Sequence, residues 1–454
     1  MLKQQKIFFD FLRFCIGSAK EIPGSLKEAD WKELYVIAQK QALLGVLFHG
    51  IRQLPKELAP EQKLLMQWMV MAEQIRKQNI RLFQDSVKVC KNFENEGFAN
   101  CILKGQGNAL LYPNPYMRTP GDIDIYLSGG RRKIMKYVDR VCPNQVMRYH
   151  HVDFPVMKTA IEVHFTPSYM FCPIHNRRMQ KWFEEVMGEQ CNHRVSLPDG
   201  YGEIHVPQVS FNVIYILSHL YRHIFTEGIG LRQLLDYYYV VCDFCKVYQI
   251  SSNHLSNFSN HPVPLSKEGS TFSPSPSSSG SGDVTALRCS EPLRSKDGGP
   301  SKVSPGCAGW DRLDAIGDTT SACSLDAGSS SSFSACSSVV LDVVQRELKH
   351  LGLWKFAQAV MFVMKEVFGL SEDRMIAPMD EKEGRFLLDE IMRGGNFGQY
   401  DDRMGSKVGE SKIHRYFRMN LRNLRFVKHY PAEALSEPLF RTWFAVWKKI
   451  HGIE

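Results

Sequence analysis

The chain has 454 residues, of which 44% are apolar and 23% charged, the composition of an ordinary globular protein. That length calls for two or three folded units. Its 56 basic and 48 acidic residues leave a net charge of +8, an excess that permits a phosphate-bearing partner without demanding one.

Residues 1–98 read as a helical region. At its start Asp10 and Arg13 interrupt the apolar run that a signal-peptide core requires, so an amphipathic helix is predicted there. No stretch of the chain reaches the roughly 18 consecutive apolar residues of a membrane span, and the cytoplasm is the expected location. Apolar residues recur at helical spacing in Leu34, Ile37, Ala38 and Ala42, and again in Leu65, Trp68, Met69, Ala72 and Ile75. The acid-rich Glu28-Ala29-Asp30 suits a helix N-terminus, and Asn95-Glu96-Gly97 a helix end.

Residues 99–206 alternate strand-like and helix-like pieces, as an α+β core should. Ala99 to Lys104 reads as a buried strand that stops at Gly105-Gln106-Gly107, and Asn108 to Tyr112 has helix-forming character. A strand, a glycine turn and a helix N-terminus together make an anion site, to which Lys104 adds a full positive charge. After a proline-rich loop carrying Arg118, the run Asp122-Ile123-Asp124-Ile125-Tyr126-Leu127 alternates with the period of a strand. Asp122 and Asp124 therefore share one face. Two carboxylates that close repel each other unless a cation lies between them, and Mg²⁺ takes such ligands together with substrate phosphates. Arg131 to Arg140 reads as a helix, and His151 to Met157 and Ala160 to Phe165 as strands. On the last of these Glu162 and His164 face away from Ile161, Val163 and Phe165.

Residues 207–250 form the first part of a second helical region. Its first helix puts His219 and His223 on one face, and its second carries Arg232 and Asp236 four apart, as in a surface ion pair. Cys242-x-x-Cys245 reads as a pair of buried core thiols; Cys172 with His175, and Cys191 with His193, form a zinc set only on paper. The twelve cysteines follow no regular framework, which fits reduced thiols.

From Ser251 to Ser338 the character changes: 25 Ser, 9 Gly and 7 Pro fall among 88 residues. Such a segment cannot build a packed core, and a disordered insert between helices is expected. Residues 339–454 are helical again, interrupted by a loop at Gly394 to Gly398. Beyond it Arg415, Arg418, Arg422 and Arg425 recur at steps of three and four opposite Phe417, Leu421 and Leu424. That helix would present a cationic stripe, a candidate surface for nucleic acid.

The succession K-G, Y-P, R, D-I-D-I, then I-E-V-H and a helical H-L…H…L-R…L-L-D segment resembles the bacterial family of uncharacterised nucleotidyltransferases, within the DNA polymerase beta-like nucleotidyltransferase superfamily. The resemblance covers nearly all of the chain outside the insert. It implies a mixed sheet with helices and transfer of a nucleotidyl group from an NTP to a hydroxyl acceptor. Asp122, Asp124 and Glu162 would hold Mg²⁺ or Mn²⁺, and Lys104, Gly105, Gly107 and Arg118 would contact the nucleotide. Glycines separated by Gln106 depart from the superfamily's usual turn, so a degenerate protein that binds nucleotide or nucleic acid without catalysis is the alternative.

Overall fold

The computed structural model describes residues 3–248, 330–403 and 411–451. The chain begins with four helices, α1 (Lys3–Cys15), α2 (Trp31–Lys40), α3 (Leu44–Ile51) and the long α4 (Gln62–Asn95). Asp30 caps α2, its side chain accepting from the N–H of Lys32 at 2.9 Å and of Glu33 at 3.3 Å. Gly97, at φ +76°, turns the chain out of α4.

The sheet region follows as β1 (Asn100–Ile102), α5 (Gln106–Ala109), β2 (Ile123–Leu127), α6 (Gly130–Val141), β3 (His151–Asp153) and β4 (Ile161–His164). Next come α7 (Pro173–Gln190) and a hairpin of β5 (Arg194–Ser196) and β6 (Glu203–His205). The predicted strands are all present, each shorter than the alternation implied. The four form one mixed sheet in the order β1-β2-β4-β3, with β2 and β4 parallel and both edge strands antiparallel to their neighbours. One face of the sheet, with Ile123, Ile125, Val152 and Val163, is buried in a core shared with Phe93 of α4 and Ile134 and Val138 of α6. Asp124, Glu162 and His164 therefore lie on the opposite face.

That opposite face is covered by helices. α8 (Val209–Thr226) and α9 (Leu231–Val247) belong to a larger core that also includes α1, α3, α10 (Ser330–His350) and α11 (Trp354–Phe368). Then come α12 (Glu381–Gly394), α13 (Lys412–Val427) and α14 (Pro431–Ile450). The serine-rich insert up to residue 329 lies outside the described residues; α10 begins at Ser330, ahead of the compositional boundary at Val339.

Among the C-terminal arginines with described side chains, Arg425 is exposed, Arg418 half-buried and Arg422 buried, so the solvated stripe that their spacing predicts is broken. Arg422 is only 6% exposed, and its guanidinium donates to the carbonyl of Ile224. Arg418 donates to the carbonyl of Arg403 at 2.7 Å, and Arg425 pairs with Glu390 at 3.0 Å. Phe417, Leu421 and Leu424 are exposed as well. The buried Glu390 and Asp401 attract the charge of Arg422 inward. The side chain of Arg415 lies outside the described residues.

Candidate functional site

The register of the parallel pair places Asp124 opposite Glu162 and Tyr126 opposite His164. Antiparallel pairing of β3 adds His151 opposite His164 and Asp153 opposite Glu162, so H-V-D and E-V-H present their polar residues to one face. Asp122 stands just ahead of β2. The backbone after β1 stays with that strand, Leu103 donating to the Asp124 carbonyl at 2.9 Å, and this brings Lys104 to the carboxylates. Lys104 Nζ lies 2.9 Å from Asp124 Oδ1 and 3.1 Å from His219 Nε2. An ammonium has only protons to offer, so the histidine nitrogen accepts.

Lys104, Gly105, Asp122, Asp124, Arg232 and Phe397 line a cleft of about 180 Å³ between the sheet and the helices. Gly105 adopts φ +62°, the left-handed region that a side chain disfavours, and so turns the chain at the cleft wall. Gly107, expected to contact phosphate, also meets a steric demand. It lies within the single turn of α5, where a Cβ would come 2.9 Å from Val206 Cγ1; it permits close packing against the hairpin. One turn also makes a weak helix dipole, so Lys104 and the arginines dominate the positive potential here.

The carboxylates are unequal. Burial works against charge on Asp124, yet Lys104 and His164 hold its pKa well below the ordinary range. Asp122 is pushed up to about 6, first by repulsion from Asp124 and then by burial. His164 Nε2 sits 3.0 Å from Asp124 Oδ1 and 3.5 Å from Glu162 Oε2. Burial disfavours its charge, but these two contacts carry its pKa above the ordinary histidine value. Donor atoms of Asp124, Glu162 and His164 all lie within 4.8 Å of one another, close enough to share an ion. Asp122 is outside that group but lines the same cleft as Asp124 and feels its charge.

Arg118 and Asp236 are buried, and neither is a surface group. Arg118 Nε and its terminal nitrogen donate to the two oxygens of Asp236 at 2.7 and 2.8 Å, and the Tyr112 hydroxyl adds a third bond at 2.7 Å. Burial alone would raise the Asp236 carboxyl, but Arg118 takes it below its ordinary value. Arg232, predicted to pair with Asp236 at the surface, is 7% exposed and stands 3.7 Å from it. Its Nε meets no hydrogen-bond partner among the described residues, and its guanidinium lies 5.5 Å from the ring centroid of Phe397. Phe397 comes from the Gly394–Gly398 loop, at φ +52°, and enters the cleft from the far end of the chain. Gly230 and Gly398 make this docking possible, because a Cβ on Gly398 would collide with the Glu227 carbonyl and one on Gly230 would reach 2.7 Å from Asn396 Cα.

Among the other sequence candidates, Cys172 and His175 meet at the buried Glu433. That carboxylate accepts from the N–H of Phe171 at 2.6 Å and of Cys172 at 3.0 Å, and contacts His175 Nδ1 at 2.8 Å, so it closes the start of α7. Cys191 and His193 join no metal-holding group among the described residues. Cys242 and Cys245 have thiols raised by burial, that of Cys245 to about 12, as core thiols should. His150 and His151 were not singled out from the sequence; the mirrored alternation of H-V-D and E-V-H was the signal for His151.

Residues 27–246 match the model of a family described as uncharacterised nucleotidyltransferase. Over that stretch the chain is similar to this family. No curated protein and no solved structure gives a significant match. The nucleotidyltransferase span contains Lys104, both aspartates, Glu162, His164, Arg232 and Asp236, whereas Phe397 is supplied from beyond it. Nucleotidyl transfer, with an NTP as substrate, is the role that goes with the family. No helix among the described residues is long and apolar enough to cross a membrane.

Proposed function

We propose that the chain moves a nucleotidyl group from an NTP to a hydroxyl acceptor, with Mg²⁺ or Mn²⁺ held by Asp122 and Asp124 and the carboxylate set completed by Glu162. The observation that carries this reading is the cleft wall, which Asp122 and Asp124 both line and where only Asp124 has a nearby cation in contact. Hard carboxylate oxygens beside a phosphate-sized cleft suit Mg²⁺. When bound, such an ion supplies charge neutralisation on the reacting and departing phosphates.

The chain's own groups do the rest. Lys104 and Arg232 offer donors to the triphosphate, and Gly105 lets the backbone approach it. His164 positions Asp124 through its 3.0 Å contact. Arg118 acts by holding Asp236 and, through it, the floor of the cleft, a change from the direct nucleotide contact that the sequence led us to expect of it. Glu162 is placed to accept the acceptor's proton. Phe397 offers an aromatic face at the cleft mouth, suited to stacking with a base.

A second reading, binding without turnover, draws on the engagement of Lys104 by Asp124 and of Arg118 by Asp236. The test is incorporation of α-labelled ATP, GTP, CTP and UTP, with Mg²⁺ or Mn²⁺, into cell extract and into the protein itself. Label should appear with the wild type and not with Asp122→Asn plus Asp124→Asn. Absence of label with every nucleotide, beside metal-dependent NTP binding by the wild type, would favour the second reading.

A further inference from the structure

Next to the carboxylates lie three buried imidazoles, of which the proposed transfer uses only His164, to position Asp124. His150 is 4% exposed, His151 9% and His164 1%. Their ring centroids stand 4.5, 5.0 and 5.1 Å apart, a nearly equilateral triangle. One nitrogen from each lies within 4.8 Å of the other two. His150 Nε2 is 3.3 Å from His151 Nδ1, His151 Nδ1 is 3.4 Å from Glu162 Oε2, and Glu162 Oε2 is 3.5 Å from His164 Nε2. The outer Nδ1 atoms of His150 and His164 are buried with no hydrogen-bond partner among the described residues.

Three imidazoles packed this closely, two of them with an unpartnered buried nitrogen, are costly without a compensating ligand. A tetrahedral ion with bonds of about 2.0–2.1 Å sets its ligand atoms about 3.3–3.4 Å apart. The His150–His151 separation of 3.3 Å matches that edge. Imidazole is a poor ligand for Mg²⁺ and a good one for Zn²⁺ and its neighbours in the first transition row.

We propose that His150, His151 and His164 form a binding site for a divalent transition metal, with Zn²⁺ as the type, beside the Mg²⁺ position at Asp122 and Asp124. Three protein ligands leave the fourth position to water, and the ion ties β3 and the residue before it to β4. Asp153, whose carboxylate also falls within 4.8 Å of His151 and Glu162, adds negative charge beside it. The site stands or falls without reference to nucleotidyl transfer.

The test is metal binding by the full-length, metal-stripped protein, read by titration calorimetry with Zn²⁺ and by visible absorption with Co²⁺. The wild type should bind one Zn²⁺ and show the absorption of tetrahedral Co²⁺. Asp122→Asn should do the same, while His150→Gln with His151→Gln should weaken binding by at least about 100-fold, since loss of ligands exceeds the loss seen when only their supports are removed. No binding by the wild type, or equal binding by the double variant, overturns the proposal. Should that variant fail to fold, X-ray absorption of the Zn²⁺-loaded wild type decides. Imidazole and oxygen ligation supports the site, and sulfur ligation, which would place the ion at Cys172 or another thiol, overturns it.

Discussion

Asp236→Asn tests whether the pair beneath the cleft is truly a buried ion pair. The substitution keeps the side chain's shape and leaves Tyr112 an acceptor, but it removes the charge and turns the second acceptor oxygen into an NH₂ that faces an Arg118 donor. Arg118, 3% exposed and bound through two nitrogens, is then left as a buried cation with no anion in contact. Breaking a buried pair from one side costs about 3–5 kcal/mol, against a total stability for a typical protein of about 5–15 kcal/mol. Equilibrium unfolding in urea, followed by tryptophan fluorescence, should show that loss, and Arg118→Met with Asp236→Leu should recover much of it. A loss under about 1 kcal/mol, the range of an exposed pair, would refute the burial argument. Acid provides an independent check of sign. The Asp236 carboxyl is held below its ordinary value of 3.8, so its stabilisation is complete above that pH and disappears as pH falls through the depressed value. Wild-type stability should therefore fall more steeply below about pH 3.8 than that of Asp236→Asn.

Gly107→Ala should cost about 1–3 kcal/mol by overpacking Val206 while leaving NTP affinity unchanged, measured by thermal unfolding beside nucleotide titration. Gly398→Ala should be worse than Gly107→Ala in the same unfolding assay, because its Cβ meets the rigid Glu227 carbonyl at a positive φ. Phe397→Ala should weaken NTP binding by roughly tenfold, about the value of one aromatic stacking contact, while the left-handed strain at this position persists because Ala also carries a Cβ. Equal NTP affinity for wild type and Phe397→Ala would remove the ring from the site.

Local pattern carried much of the site because strand alternation is a local property. D-I-D-I and I-E-V-H each specify which side chains share a face before any partner is known. The helix stop at Gly97 and the cap at Asp30 were readable for the same reason, since both satisfy backbone groups within a few residues. Arg232 and Asp236 were misjudged because burial is not local: a four-residue spacing looks the same on a wet face and in a core. Arg422 of α13 erred in the same direction, since spacing identifies a face without saying which way it turns.

The sequence by itself determined the elements and the polar face of the sheet, because backbone periodicity and turn chemistry act between near neighbours. Only the tertiary structure decided what that face looks into. Register between β2, β3 and β4 set Asp124 against Glu162 and His151 against His164, and packing of α8 above them brought His219 to Lys104. The glycine contacts at Gly230 and Gly398 delivered Phe397 from far along the chain. Those pairings depend on steric fit and charge compensation between segments widely separated in sequence, which no pattern confined to one segment contains.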